Sequence, residues 1–221
     1  MNRRMPALLA AILAVSLLAG PLFADDPAKP VYANDLEKED IGFEPLDFLI
    51  LEGDFKVKQE EGNRVLELPG SPIGRFGLLL GPTQQDGLEI RARVRSASKG
   101  RLAPSFGVGL NGVGGYKLLC SPNRSEIELK KGGVVVEAKP LRWWKSGAWT
   151  EFRLRIVKLK DGDWRIQGRL WESGIKEPNQ WQLEFTEKEE PPNGRPAIWG
   201  TPFSDLPIVY DDLKVYSAKA E

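Results

Sequence analysis

The stretch "GLEIRARVRS", residues 87–96, constrains the fold most. Leu88, Ile90, Ala92 and Val94 are apolar, whereas Glu89, Arg91, Arg93 and Arg95 between them are charged. Successive side chains of an extended strand point to opposite faces. The stretch therefore reads as a strand with one face in a core and one charged face turned outward. The same grammar recurs in "DFKVKQ", "RVLEL", "RFGLLL", "SFGVGL", "GYKLLC", "SEIELK", "GVVVEA", "WTEFRLRIV", "WRIQGRLW", "WQLEF", "PAIWG" and "IVYDDLKVY". Gly, Asn, Pro and Asp clusters such as "NGVGG", "KDGD" and "PPNG" separate these runs. Many short strands with turn chemistry between them predict an all-β sandwich or barrel. No helix and no internal repeat is predicted after residue 30.

The first 24 residues have a different character. Arg3 and Arg4 precede the apolar run from Ala7 to Ala19, and Leu22-Phe23-Ala24 suits cleavage after Ala24. We read 1–24 as an export signal, 25–30 as a linker, 31–217 as one domain and 218–221 as a tail. The apolar run is shorter than the roughly 20 residues of a membrane span. Pro21 stands where a lipoprotein signal carries its cysteine. The expected location is therefore the periplasm or the outside of the cell, with no membrane span in the processed chain.

Processing leaves 29 basic side chains against 31 acidic ones, a net charge of −2. That balance gives no footing for nucleic-acid binding. The chain contains one cysteine, Cys120, and no histidine. An intrachain disulfide is thus excluded, and stability must come from a large core. Ser-His-Asp and Cys-His catalysis and histidine-bound metals are excluded as well.

Parity sorts the tryptophans. "WTEFRLRIV" and "WRIQGRLW" flank Asp161-Gly162, a hairpin signal. On the first strand Phe152, Leu154 and Ile156 face the core, while Trp149, Glu151, Arg153 and Arg155 face outward. On the second, Trp164, Ile166, Gly168 and Leu170 face the core, while Arg165, Gln167, Arg169 and Trp171 face outward. Trp181 shares parity with Leu183 and Phe185 and is expected in the core. Trp143 and Trp144, being consecutive, would point to opposite sides of a strand.

The segments "WWKSGAWTEFRLRI", "RIQGRLWESGIKEPNQWQLEF", "PPNGRPAIWG" and "IVYDDLKVY" resemble the concanavalin A-like lectin/glucanase superfamily, and within it the laminin-G-like modules of exported bacterial proteins. The matching positions are Trp149, Trp171, Gly174, Glu177, Pro178, Trp181, Asp211 and Asp212. The resemblance is good from about Trp143 to Tyr216. It implies a jelly-roll sandwich of two antiparallel sheets, and it says little about activity. Some members are glycosidases, and laminarinase-type ones carry Glu-Ile-Asp-x-x-Glu on one strand. Here "EIELKK" puts Lys131 in place of the second glutamate, and a lysine cannot serve as acid or nucleophile there.

Two sites follow as expectations. The resemblance implies a calcium ion between first and last strands, for which Asp211, Asp35 and Glu37 are the candidate oxygen ligands; parity with Val209, Leu213 and Val215 would turn Asp211 toward the core. The outward set Trp149, Arg153, Arg155, Arg165, Arg169 and Trp171 is the candidate ligand face, joined by Arg91, Arg93 and Arg95 if their strand lies in the same sheet. Aromatic planes suit sugar rings, and arginine forks suit carboxylates or sulfates. The opposing view is that the arginines are partners of Glu89, Glu151 and Glu184 and that Trp171 covers its own loop. The function expected is a non-catalytic carbohydrate-binding or interaction module with a glycan partner. The alternatives are a glycoside hydrolase of the same superfamily and a structural or protein-binding envelope module.

Overall fold

The computed structural model describes residues 29–72 and 74–219. The export signal, most of the linker and the last two residues of the tail lie outside them. Among the described residues fifteen strands form: β1 Tyr32–Asn34, β2 Leu49–Glu52, β3 Lys56–Glu60, β4 Asn63–Leu68, β5 Phe76–Leu79, β6 Leu88–Ser96, β7 Ser105–Leu110 and β8 Tyr116–Ser121. Then follow β9 Glu126–Lys131, β10 Val134–Pro140, β11 Trp149–Lys158, β12 Trp164–Glu172, β13 Leu183–Glu187, β14 Ala197–Thr201 and β15 Ile208–Ser217. The single helical element among them is a 3₁₀ turn, Pro122–Arg124.

The strands make two antiparallel sheets. One runs β13-β12-β11-β6-β15-β4-β3, with β1 also on β15; the other runs β10-β9-β8-β7-β14-β5-β2. Each expected strand is present. β2 is an additional strand, with Leu49 and Leu51 exposed and no alternating signature. The hairpin at Asp161-Gly162 also forms, with Gly162 at φ +99° joining β11 to β12.

The core lies between the sheets. Leu88, Ile90 and Val94 of β6 and Phe152, Leu154 and Ile156 of β11 come from the first sheet. They meet Phe106 and Val108 of β7 and Tyr116, Leu118 and Cys120 of β8. Each such side chain contributes roughly 1.5–3 kcal/mol when fully buried, which is how the fold dispenses with disulfides. The sheets approach closely at Gly168, where a Cβ would sit 2.8 Å from Leu118 Cδ1. Trp164 is in the core as expected. Cys120 is fully buried, and burial pushes its thiol well above the ordinary value, so it is an inert filler.

One polar bridge ties the sheets at their edge. Tyr116 Oη donates to Glu187 Oε2 at 2.9 Å, Lys131 Nζ lies 2.7 Å from the same oxygen, and the Glu189 N–H donates to Oε1 at 3.0 Å. Lys131, which stands where the glucanase-like pattern carries its second glutamate, is thus a structural partner of β13.

Two parity readings fail for identifiable reasons. Asp211 is not on the core set. β15 carries a bulge between Asp211 and Lys214, with Asp212 at φ +51°. The inserted residue leaves Asp211 opposite Arg93 on the outer face, while Leu213 and Val215 return to the core. Trp181 is not in the core either. It precedes β13, where the Gln182 N–H bonds to the Gly168 carbonyl, and its indole folds outward. Trp143 and Trp144 lie in a loop instead of a strand, and both pack partly buried against the core.

Candidate functional site

The outer face of the first sheet carries the arginines. β6 pairs with β11, so Arg91, Arg93 and Arg95 do join the face of Arg153 and Arg155. Two registers run across it: Trp171–Glu151–Arg93–Asp211 and Arg169–Arg153–Arg91–Lys214. Cations so crowded need anions, and the face supplies them. Glu89 takes Arg91 at 2.6 Å and Arg153 at 2.7 Å. Glu177 takes Arg153 at 2.8 Å and Arg169 at 2.5 Å. Arg95 pairs with Glu60. Arg155 donates to Gln167 Oε1 at 2.7 Å, and Gln167 donates onward to Glu184.

The loop after β12 seals part of this layer. Arg169 Nη1 donates to the Pro178 carbonyl at 2.5 Å. The Trp181 ring covers the guanidinium carbons of Arg169, Arg155 and Arg153 at 4.3, 4.6 and 5.2 Å. Arg169 and Arg155 are consequently 8% and 7% exposed. Burial is the largest influence on Arg169 and draws its pKa down, with Glu177 opposing. Burial also works against the charge of Arg153, but Glu177 and Glu89 outweigh it and raise its pKa.

Of the six expected ligand residues, Arg153, Arg155 and Arg169 are therefore engaged within the fold. Trp149 has Arg93 and Arg95 stacked on it at 4.8 and 5.0 Å, beside an open groove of about 520 Å³. Trp171 faces outward, half-buried, next to Glu151. Arg165 is half-buried at the far end of β12.

The three candidate calcium ligands are also committed. Asp211 is 1% exposed. Its Oδ2 accepts Arg93 Nη2 at 2.5 Å and Asn63 Nδ2 at 2.7 Å, and its Oδ1 accepts the Asp212 N–H at 2.6 Å. Glu37 Oε1 accepts the Arg64 N–H at 2.8 Å, and Asp35 Oδ1 accepts the Glu37 N–H at 3.3 Å. A metal ion at Asp211 would face a guanidinium and an amide donor. Among the described residues no three His, Cys, Asp or Glu side chains are grouped to hold a metal. The donor set does not fit calcium; Arg93 is the counter-charge.

The outer face of the second sheet is built differently. On β7 the outward positions include Gly107 and Gly109, so the sheet surface there is bare. Trp199 of β14 lies opposite Gly107 and Gly77. A Cβ on Gly77 would fall 2.5 Å from Trp199 Cε3, and one on Gly109 would fall 2.6 Å from Nε1. The glycines thus let the indole lie along the sheet as a floor. Lys117 Nζ sits 3.4 Å from the centre of its ring.

Above this floor is a pocket of about 210 Å³, rimmed by Arg75, Lys117, Lys130 and the hydroxyls of Ser105, Ser121 and Thr201. Its one lining carboxylate is Glu128, 1% exposed. Glu128 is held by Ser121 Oγ at 2.6 Å, Arg124 at 2.6 Å and Lys130 at 3.3 Å. Burial, then Arg75 and Lys130, lower the pKa of Lys117. The sequence reading missed this pocket. Its signal was the alternation Gly107-x-Gly109, which strips one face of a strand, with a tryptophan in "PAIWG".

No family model and no curated protein matches the chain by sequence. Solved structures do match by shape. The Emp47p carbohydrate recognition domain is 15% identical, with a TM-score of 0.55 over 84% of this chain and 94% of that one. The carbohydrate-binding module CBM66 from Bacillus subtilis is 9% identical, with a TM-score of 0.50 over 77% and 96%. A structure described with endo-acting O-glycanases, which prominent members of the human gut microbiota express to initiate mucin breakdown, is 10% identical, with a TM-score of 0.59 over 86% and 100%. The fold is a concanavalin A-like jelly roll. A calcium-bound VIP36 domain and a potassium-bound Emp46p domain share it. Among the described residues no helix is long and apolar enough to cross a membrane.

Proposed function

We propose that this chain is an exported, non-catalytic carbohydrate-binding module that seats a saccharide in the pocket over Trp199. The observation that carries the reading is the composition of that pocket. An aromatic floor, apolar walls from Phe76 and Leu119, and the hydroxyls of Ser105 and Thr201 with cationic donors are what a sugar ring needs. The likeness in fold to carbohydrate recognition domains and a carbohydrate-binding module supports it. Export rests on the Arg3–Ala24 signal pattern, and laminin-G-like kinship on the Trp171 to Trp181 spacing.

A glycoside hydrolase is the second reading, favoured by the O-glycanase-associated neighbour and by Glu128 in the pocket. Glycosidases of the usual type need two carboxyl groups, one of them protonated. Glu128 stands alone in the pocket lining, and Arg124 and Lys130 already pair with it. A further place for a glycan is the groove beside Trp149 on the first sheet.

Affinity electrophoresis against soluble polysaccharides, with a reducing-end assay on the same mixtures, tests the proposal. Retardation without product is expected, lost in Trp199→Ala and in Ser105→Trp, which fills the pocket from its rim. Product release by the wild type, or retardation unchanged in folded Ser105→Trp, would overturn it.

A further inference from the structure

The two outer faces differ in how their charges are balanced. On the first sheet Arg91, Arg93, Arg95, Arg153 and Arg169 each have a carboxylate partner. On the second sheet four cations, Arg75, Lys117, Arg124 and Lys130, surround one carboxylate, Glu128. Arg124 and Lys130 already satisfy it. Among the described residues neither Arg75 nor Lys117 has a carboxylate within ion-pair distance. Lys117 is held instead on the face of Trp199.

Like charges gathered around a recess repel one another; Lys117 and Lys130 are half-buried, so water screens them less, while Arg75 stands exposed at the rim. Arg75 and Lys117 form no ion pair that would explain their place on structural grounds. What completes the arrangement is an anion entering the pocket. The room is about 210 Å³, too small for a large ligand but ample for one sugar residue with its charged substituent. The hydroxyls of Ser105 and Thr201 lie on the same rim.

We propose that this pocket selects saccharides bearing an anionic group, carboxylate or sulfate, which binds between Arg75 and Lys117 beside the Trp199 floor. The proposal rests on the carbohydrate-binding reading and adds the ligand's chemistry to it. Arg75 supplies the planar fork that fits either oxyanion, and Lys117 supplies a compact charge. The neutral part of the sugar meets Phe76, Leu119 and the indole. The arginine-rich face of the first sheet, by contrast, is already neutralised by its own glutamates and offers an anion little.

The test compares three polymers: polygalacturonate for the carboxylate arm, dextran sulfate for the sulfate arm, and dextran as the neutral reference. Affinity electrophoresis is run on the wild type, on the Arg75→Gln/Lys117→Gln variant, and on Arg91→Gln as a control on the other sheet. Charge-assisted contacts of this kind are each worth about tenfold or more in affinity. At least one acidic polymer is expected to bind about tenfold or more tightly than dextran. That preference is expected to vanish in the double variant, shown folded by circular dichroism, and to persist in Arg91→Gln. Dextran bound as tightly as both acidic polymers would overturn anion selectivity while leaving the module reading intact. Acidic polymers bound equally by the double variant would place the anion elsewhere and overturn this site. Failure of every polysaccharide to bind would remove both readings.

Discussion

Replacing Arg93 by glutamine tests the assignment of Asp211 most directly. Asp211 is almost completely buried, and its negative charge is balanced by Arg93 at 2.5 Å. Breaking a fully buried ion pair by removing one partner costs about 3–5 kcal/mol. Here the cost is smaller for two reasons. The Arg93 side chain is 28% exposed, so water screens part of the interaction. Asn63 and the Asp212 N–H also remain bonded to the carboxylate. A loss of about 2–3 kcal/mol is expected. For a domain of this size that lowers Tm by about 4–12 °C. Urea denaturation supplies the free energy, and calorimetry supplies Tm. Asp211→Asn is expected to cost less, because Arg93 keeps Asp212 at 3.0 Å and access to solvent. A loss below about 1 kcal/mol for Arg93→Gln would refute the reasoning. So would a wild-type Tm that falls when a chelator is added to metal-loaded protein, since a cation and not Arg93 would then be neutralising Asp211.

Three further outcomes are expected. Glu187→Ala leaves the Tyr116 hydroxyl buried without its acceptor and should cost about 2–4 kcal/mol, more than Tyr116→Phe. Lys131, the Glu189 N–H and Tyr116 outweigh burial and hold the Glu187 pKa below its ordinary 4.5, so its stabilisation is complete above that pH and is lost as pH falls through the depressed value; urea midpoints measured from pH 6 downward should show this slope in the wild type and not in Glu187→Ala. Trp181→Ala uncovers Arg155 and Arg169 and should cost about 1–3 kcal/mol from three lost cation–π contacts, read as faster exchange of the guanidinium protons by NMR. Gly109→Ala should push the Trp199 indole off its floor, costing about 1–3 kcal/mol and altering the near-ultraviolet circular dichroism.

The fold was legible because alternation is a local signal. Leu88 to Arg95 declare their faces without help, and Asp161-Gly162 declares the hairpin that places Trp164 inside and Trp171 outside. The failures occur where one residue breaks the period. Asp212 adopts a left-handed backbone and shifts every later side chain of β15 by one face, which no count of alternating residues detects. Trp181 belongs to a returning loop, so extrapolating backward from Leu183 put it on the wrong side. The pocket over Trp199 is illegible for another reason. Arg75, Lys117 and Trp199 lie on or beside β5, β8 and β14, and only the strand order of the second sheet brings them together.

The pairing of β1 with β15 brings the two ends of the described sandwich together. The Val31 N–H donates to the Val215 carbonyl at 2.8 Å, so the first and last strands run side by side. A linker of about five residues would join positions 29 and 219 without disturbing the sheet. A circular permutant opened at the exposed Asp161-Gly162 turn should then fold to the same sandwich. For the same reason, a host protein could carry the domain within one of its loops with entry and exit almost coincident, displayed to the side and adding nothing to the host's length.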